Sequence, residues 1–212
     1  MSDTEQPDRD LSRKNFIMAV GLGALALPTA LDAANAAPAA AKPGQPLLVP
    51  TATCDDGDEP TRPQTQGPYF KPNSPQRTSL ITPTTQGTRL TVTGIVYTMS
   101  CVPVNRALLD FWQADAYGRY DNAGYRFRGH QYTDASGRFT LTTIVPGLYP
   151  GRTRHIHVKV QAPNRPVLTT QLYFPNEPRN QTDTIFDPTL VMDVQTVPGG
   201  RSATFDFILR IP

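Results

Sequence analysis

The chain has 212 residues, of which 38% are hydrophobic, and a formal net charge of +2. This composition favours a globular domain and argues against wholesale disorder, and the small charge gives no reason to expect a nucleic-acid partner. The 22 prolines favour short strands over long helices, and a total of two cysteines excludes a cysteine-rich zinc or iron–sulfur module.

The first segment, residues 1–36, has the pattern of an export signal. Basic Arg13 and Lys14 precede an apolar run, Ile17–Leu27, that is too short to span a bilayer, and Ala34–Ala36 fits an Ala-x-Ala cleavage site. The segment resembles a twin-arginine signal, and general secretion also accepts such a sequence. We therefore expect a periplasmic or extracellular protein without a stable membrane span, cleaved near this site. A short amphipathic or disordered tail is the alternative.

Two features follow the signal. Cys54 and Cys101 favour one disulfide in an oxidising compartment, with two separately buried thiols as the alternative. Residues 37–66 are rich in Pro, Ala, Thr and Asp and lack periodicity, so we expect an extended arm ahead of a single domain over residues 67–212.

The sequence after Pro83 alternates between apolar and polar residues, as half-buried strands do. Leu90, Val92 and Val96 share one face of the first strand, and Gly94 between them indicates a bulge or a close backbone approach. At least six such strands are expected, and no convincing helical pattern follows residue 36. The spacing predicts an all-β fold, a Greek-key antiparallel β-sandwich with few or no helices.

The chain has three histidines, and two of them, His155 and His157, alternate within a strand pattern. Their imidazoles project from the same face, about 6.6 Å apart along the strand, so both can approach one metal ion. Ile156 and Val158 then point to the opposite, core-facing side. Such a pair is weak evidence alone, because most are solvated or hydrogen-bonded strand residues. The third, His130, lies in a polar stretch and is expected at the surface.

Two tyrosines strengthen the case for a metal site. Tyr120 and Tyr149 precede the histidine pair, whereas no cysteine lies near it and no carboxylate lies between Tyr149 and His157. A zinc site of the usual kind needs cysteine or carboxylate ligands beside histidine. The hard ligands expected here are therefore phenol oxygens.

Five motifs then occur in a characteristic order: QGPYF at Gln66–Phe70, WQADAYGRY at Trp112–Tyr120, PGLY at Pro146–Tyr149, RTRHIH at Arg152–His157 and TQLYF at Thr170–Phe174. On these motifs the chain resembles the intradiol ring-cleavage dioxygenases, which include protocatechuate 3,4-dioxygenase and catechol 1,2-dioxygenase. The resemblance runs from about residue 64 to residue 175. It is greatest to the exported single-domain branch, which lacks an N-terminal helical dimerisation region.

The resemblance implies a non-haem iron(III) cofactor held by Tyr120, Tyr149, His155 and His157. It implies that both atoms of O2 enter a catechol, which is cleaved between its two hydroxyl-bearing carbons to a cis,cis-muconate-type product. In this family Tyr149 would also accept a substrate proton, Arg152 would bind substrate and stabilise negative charge on its ring, and Gln171 would lie beside Arg152.

Several alternatives stay open at this point. Tyr69 either lines the substrate pocket or anchors the arm, and Trp112 is expected to pack in the core. The short spacing of Tyr149 and His155 leaves the choice of catechol open. Two other functions stay open: a non-catalytic transthyretin-like binding module, and a protein that binds copper or zinc. All four ligands lie on this chain, so no partner subunit is required for the iron, and a homo-oligomer stays open.

Overall fold

The computed structural model describes Cys54 and residues 59–211, which lie in one compact unit running from Val49 to Pro212. The expected export signal and most of the expected arm lie outside the described residues. Among those that are described, no helix is long and apolar enough to cross a bilayer.

Short strands dominate the described residues, and helical structure there is limited to two 3-10 segments at Pro178–Gln181 and Pro188–Leu190. The strands are β1 (Arg89–Thr98), β2 (Leu108–Trp112), β3 (Arg128–Tyr132), β4 (Arg138–Ile144), β5 (His155–Gln161), β6 (Leu168–Tyr173), β7 (Asp193–Val197), β8 (Gly200–Thr204) and β9 (Phe207–Leu209).

The strands form two sheets. One has the order β4-β1-β8-β7, with β9 also pairing with β1, and the other has the order β3-β2-β5-β6. Strand β1 pairs antiparallel with β4 and parallel with β8 and β9, and the remaining neighbours are antiparallel. The all-β sandwich expected from the sequence is confirmed. Apolar alternation has the same period in both kinds of pairing, so it could not reveal the parallel neighbours of β1.

The core consists of the apolar residues that alternate along each strand. Leu90, Val92 and Val96 of β1 are completely buried, as are Ile156 and Val158 of β5. The histidine pair of β5 therefore lies on the other face of the β3-β2-β5-β6 sheet, as the alternation predicted.

The chain ahead of β1 follows the edges of the sandwich. The backbone N–H of Thr61 donates to the carbonyl oxygen of Ile208, and that of Gln64 donates to the carbonyl oxygen of Thr169. Farther along, the N–H of Arg77 donates to the carbonyl oxygen of His130. The expected arm, residues 37–66, is described at Cys54 and from residue 59 onward, and the chain continues in the same way to residue 80. From here on, the arm means residues 59–80, which cover part of the outer face of the β3-β2-β5-β6 sheet.

The two cysteines form a disulfide. Cys54 and Cys101 lie 47 residues apart in the chain, and their Cα atoms are separated by 5.6 Å. The bond ties the chain ahead of the arm to the connection between β1 and β2. The alternative of two separate thiols is therefore wrong.

Gly94 lies where β1 meets the chain between β8 and β9. A Cβ atom placed on this residue would lie 1.8 Å from the carbonyl oxygen of Phe205 and 2.9 Å from the ring of Phe139. The N–H of Phe205 donates to the carbonyl oxygen of Thr93 at 3.0 Å, which holds the two segments together. The close approach expected at Gly94 is confirmed.

We expect Gly94→Ala to lower the free energy of unfolding by about 3 kcal/mol or more, because the backbone of Phe205 must move to admit a methyl group. Urea denaturation measures the change. Thr140→Ala, on an exposed position of β4, is the control and should stay within about 0.5 kcal/mol of the parent protein. Equal stability of the two variants would show that the contact at Gly94 is not tight.

Candidate metal centre

The four expected ligands meet at one end of the outer face of the β3-β2-β5-β6 sheet. His155 and His157 lie at the start of β5, Tyr120 lies between β2 and β3, and Tyr149 lies between β4 and β5. The Nε2 atom of His155 is 3.2 Å from the hydroxyl of Tyr120. The two imidazole centroids are 4.7 Å apart, and the rings of Tyr120 and Tyr149 are 5.9 Å apart.

Burial sets the protonation of these groups. His155 and His157 are 4% and 3% exposed. Burial lowers the pKa of His155 to about 4 and lowers the pKa of His157 well below its ordinary value. Both imidazoles are therefore neutral at pH 7, the form in which histidine binds metals. Burial also raises the pKa of Tyr120, so this phenol ionises only beside a strong positive charge.

The nitrogen atoms of the two imidazoles have different surroundings. The Nδ1 atom of His155 donates to the carbonyl oxygen of Thr153 at 2.7 Å, which leaves the lone pair on Nε2, the atom nearest Tyr120. The Nδ1 atom of His157 is buried and has no hydrogen-bond partner within the described part of the chain. Buried polar atoms are almost always satisfied, so an imidazole in this position is suited to a ligand from outside the protein.

The donor set fits iron(III). Ferric iron is a hard, highly charged Lewis acid, and two phenolate oxygens would offset two of its three positive charges. Two neutral imidazoles supply the remaining protein donors, as is common for iron. Among the described residues, no group of three or more His, Cys, Asp or Glu side chains could hold a metal ion. A zinc site rich in cysteine or carboxylate is therefore not available there.

Trp112 lies behind this group. Its indole is parallel to the imidazole of His157, with ring centroids 4.8 Å apart and 4° between the planes. Phe70 of the arm contacts the indole edge to face at 4.9 Å, and Trp112 is 1% exposed. The expected burial of Trp112 is confirmed, and its cover comes from the arm rather than from the opposite sheet. Trp112 alternates with Phe111, so it faces outward and is covered by the arm.

Tyr69 of the arm contacts both phenols. Its hydroxyl lies 2.9 Å from the hydroxyl of Tyr149, and its ring stacks on Tyr120 with centroids 4.5 Å apart. The hydrogen bond with Tyr149 raises the pKa of Tyr69. Tyr69 therefore lies at the site, where it also anchors the arm. Because 80 residues separate Tyr69 from Tyr149, no local spacing could reveal the contact.

Arg152 and Gln171 also lie together. The Nη2 atom of Arg152 donates to Oε1 of Gln171 at 2.7 Å, and Gln171 is completely buried. The amide nitrogen of Gln171 donates to the carbonyl oxygen of Thr65 at 3.0 Å, which connects this pair to the arm.

Asp183 is a residue that sequence reasoning missed. Its carboxylate accepts a hydrogen bond from Nε of Arg152 at 2.8 Å. Burial raises the pKa of Asp183, but hydrogen bonds from the Thr153 N–H and from Arg152 outweigh burial and hold it below its ordinary value. The carboxylate is therefore charged at pH 7. Asp183 belongs to none of the five motifs and lies 31 residues after Arg152, so the sequence carried no signal for it.

His130 lies on the same sheet as the histidine pair, one cross-strand pair of the same face away from the pair formed by Trp112 and His157. It pairs with Asp110 across the strands, whereas Trp112 pairs with His157. Its Nδ1 atom is 2.7 Å from the carbonyl oxygen of Ser74 in the arm. His130 is half-buried beneath the arm rather than free at the surface, and it does not join the four expected ligands.

Three other arginines near the motifs lie beside carboxylates. Arg119 and Arg126 both lie close to Asp115, although each side chain is 70% exposed. Arg154 pairs with Glu177 at 2.7 Å. Arg128, by contrast, is buried and donates to the backbone carbonyl oxygens of Tyr69 and Asp121.

Comparison with known proteins identifies first the class of fold and then the protein family to which the chain belongs. A family model described as Dioxygenase matches residues 65–210, so the chain is a dioxygenase-type β-sandwich. It is 36% identical over 123 residues to the protocatechuate 3,4-dioxygenase beta chain of Burkholderia cepacia, covering 49% of this chain and 52% of that protein. It is 26% identical to the chlorocatechol 1,2-dioxygenase of Pseudomonas sp. (strain P51), covering 71% of this chain and 70% of that protein.

Two solved structures agree with this class. The dioxygenase domain of a dioxygenase carbohydrate-binding protein fusion from Streptomyces sp. SirexAA-E is 64% identical, with a TM-score of 0.72, covering 73% of this chain and all of that chain. The 3-chlorocatechol 1,2-dioxygenase of Rhodococcus opacus 1CP is 29% identical, with a TM-score of 0.68, covering 74% of this chain and 75% of that chain.

The chain belongs to the intradiol ring-cleavage dioxygenase family, as its motifs indicated. It spans about half the length of the Burkholderia relative, so its own activity is proposed below. The relatives described here are all dioxygenases, and nothing among them supports the transthyretin-like binding module.

The buried imidazoles should make the metal-free protein sensitive to acid. An unfolded histidine binds a proton below about pH 6.5, whereas folded His155 does so only near pH 4. The free energy of unfolding should therefore fall between pH 6.5 and pH 4, by up to about 3 kcal/mol from His155 alone. Urea denaturation of metal-free protein across this range measures the slope.

His155→Gln should flatten that slope, whereas His130→Gln should preserve it because both buried imidazoles remain. An identical slope in the parent protein and in His155→Gln would contradict the assignment of a neutral, buried His155.

Proposed function

We propose that the protein is a non-haem iron(III) intradiol dioxygenase. It inserts both atoms of O2 into a catechol-type ring and cleaves the bond between the two hydroxyl-bearing carbons to a cis,cis-muconate-type product. The observation that carries the proposal is the meeting of two phenols with two buried, neutral imidazoles. Relatives named for protocatechuate and chlorocatechol support a catechol-type substrate.

The residues that would hold the metal are Tyr120, Tyr149, His155 and His157. Iron(III) bound to them would supply a Lewis acid that binds the two catechol oxygens and prepares the ring for reaction with O2. The phenol oxygen of Tyr149 would accept a proton from a catechol hydroxyl, as a general base. The hydroxyl of Tyr69, 2.9 Å away, is placed to keep a hydrogen bond to that oxygen and to border the bound substrate.

Arg152 would stabilise negative charge that develops on the ring. Its guanidinium is a permanent cation, and its side chain is only 18% exposed. Gln171 and Asp183 hold it from two of its nitrogen atoms, so little reorganisation is needed when the ring charge appears. Fixed charge in a site with little water is an effective form of transition-state stabilisation.

The arm would keep water away from the metal ligands. A Cβ atom on Gly67 would lie 3.6 Å from Cε1 of His157, so the arm backbone lies directly against this imidazole. Phe70 covers Trp112 in the same region. Exclusion of water strengthens each electrostatic interaction within the site.

Export is proposed as well. Residues 1–36 would be removed near Ala36, and residues 37–66 would form the segment that leads into the catalytic domain at 67–212. The disulfide between Cys54 and Cys101 supports an oxidising, periplasmic or extracellular location.

Tyr120→Phe should lower turnover by about 100-fold or more, because one of the two phenolate donors is removed. For the same reason it should lose most of the tyrosinate-to-iron colour. An oxygen electrode with a small catechol panel, metal analysis and visible absorption measure the three quantities on one iron-loaded sample. The parent protein should be wine-red and consume O2.

Tyr132→Phe is the matched control, because Tyr132 lies on β3 and is 42% exposed. It should keep both colour and turnover. Retained activity in Tyr120→Phe would contradict the ligand set. A stoichiometric content of copper or zinc in the parent protein, without O2 uptake, would favour a different metalloprotein.

A further inference from the structure

The loop between β4 and β5 is held by side chains from the first 3-10 segment. The Nη1 atom of Arg179 donates to the carbonyl oxygens of Tyr149 and Arg152, at 3.2 and 3.3 Å. The side-chain oxygen of Asn180 accepts a hydrogen bond from the hydroxyl of Thr153 at 2.6 Å. This segment is therefore hydrogen-bonded to the loop at three residues.

Asp183, two residues beyond that segment, supplies the buried anion. Its side chain is 2% exposed. Its Oδ2 atom accepts hydrogen bonds from Nε of Arg152 and from the backbone N–H of Thr153, both at 2.8 Å. Its Oδ1 atom accepts from the N–H of Ile185 at 3.2 Å. A rotation of the carboxylate would leave buried donors without a partner, so its position is fixed.

One path from Asp183 leads to the guanidinium of Arg152. Asp183 holds the Nε atom, while the Nη2 atom donates to Gln171 at 2.7 Å and lies 3.4 Å from the hydroxyl of Tyr173. Acceptors at two edges of a planar guanidinium fix both its position and the tilt of its plane.

A second path leads to His155 through Thr153. The N–H of Thr153 donates to Asp183, and the carbonyl oxygen of Thr153 accepts from Nδ1 of His155 at 2.7 Å. Thr153 is completely buried, so water cannot replace either bond. Anchoring Thr153 therefore also fixes the ring orientation and the tautomer of His155, which keeps the lone pair on Nε2.

We propose that Asp183 is a positioning residue that orients both Arg152 and His155. Its effect on catalysis rests on the proposed function, whereas the orientation of the two side chains does not. Asparagine cannot replace it, because an amide has one oxygen in place of two and carries no charge, so at least one of the three donors loses its acceptor.

The first test uses the metal-free protein and NMR. In the parent protein, the Arg152 Nε–H should exchange with water at least about 10-fold more slowly than the Nε–H of Arg165, an exposed residue between β5 and β6. Equal exchange rates would overturn the proposal without the need for any variant.

In Asp183→Asn, exchange of the Arg152 Nε–H and of the His155 Nδ1–H should accelerate by about 10-fold or more. Asp193→Asn, a matched change at an exposed position of β7, should leave both rates unchanged. Unchanged rates at both protons in a folded Asp183→Asn protein would overturn the proposal.

The second test measures turnover of the iron-loaded protein. Asp183→Asn should lower kcat by about 10- to 100-fold with little change in KM, since it affects an interaction that strengthens in the transition state. The same change made in an Arg152→Gln background should cost much less. Full additivity of the two changes would overturn a role through Arg152.

An inactive parent protein that shows the expected exchange rates would refute the proposed function and leave the positioning role intact.

Discussion

Two neutral imidazoles, buried side by side on the outer face of a sheet, are the constraint on which the rest of this structure depends. Strand alternation places His155 and His157 away from the core between the sheets, on a face that would otherwise meet water. Each is nevertheless at most 4% exposed, because other chain segments cover that face. Burying polar rings costs free energy unless their nitrogen atoms are satisfied. The Nδ1 atom of His155 is satisfied by Thr153, and the phenol of Tyr120 lies beside its Nε2 atom.

The arm supplies much of that cover and contacts both the metal ligands and the pair formed by Arg152 and Gln171. Tyr69 contacts both phenols, and Phe70 packs on the indole that backs His157. Thr65 accepts a hydrogen bond from Gln171, the partner of Arg152. A segment with little secondary structure of its own thereby contacts the tyrosine, histidine and arginine sides of the site. The proposed metal site therefore needs both the arm and the sheet.

The sequence predicted those features that depend on local period. Alternation identified the strands, and the same rule placed His155 and His157 on one face. The features that it missed depend on contacts between distant parts of the chain. The parallel neighbours of β1 leave no trace in the apolar pattern. The burial of Trp112 was predicted, but its cover by Phe70 of the arm was not. Asp183 stands in an irregular segment outside every motif, and its role follows only from the distance to Arg152.

Resonance Raman spectroscopy of the iron-loaded protein, excited within its visible absorption band, tests the central claim most directly. If two phenols and two imidazoles share one ferric ion, the spectrum should show ring vibrations of coordinated tyrosinate. A protein that binds one iron per chain but shows no tyrosinate vibrations would hold its metal elsewhere. That result would contradict the account of this site.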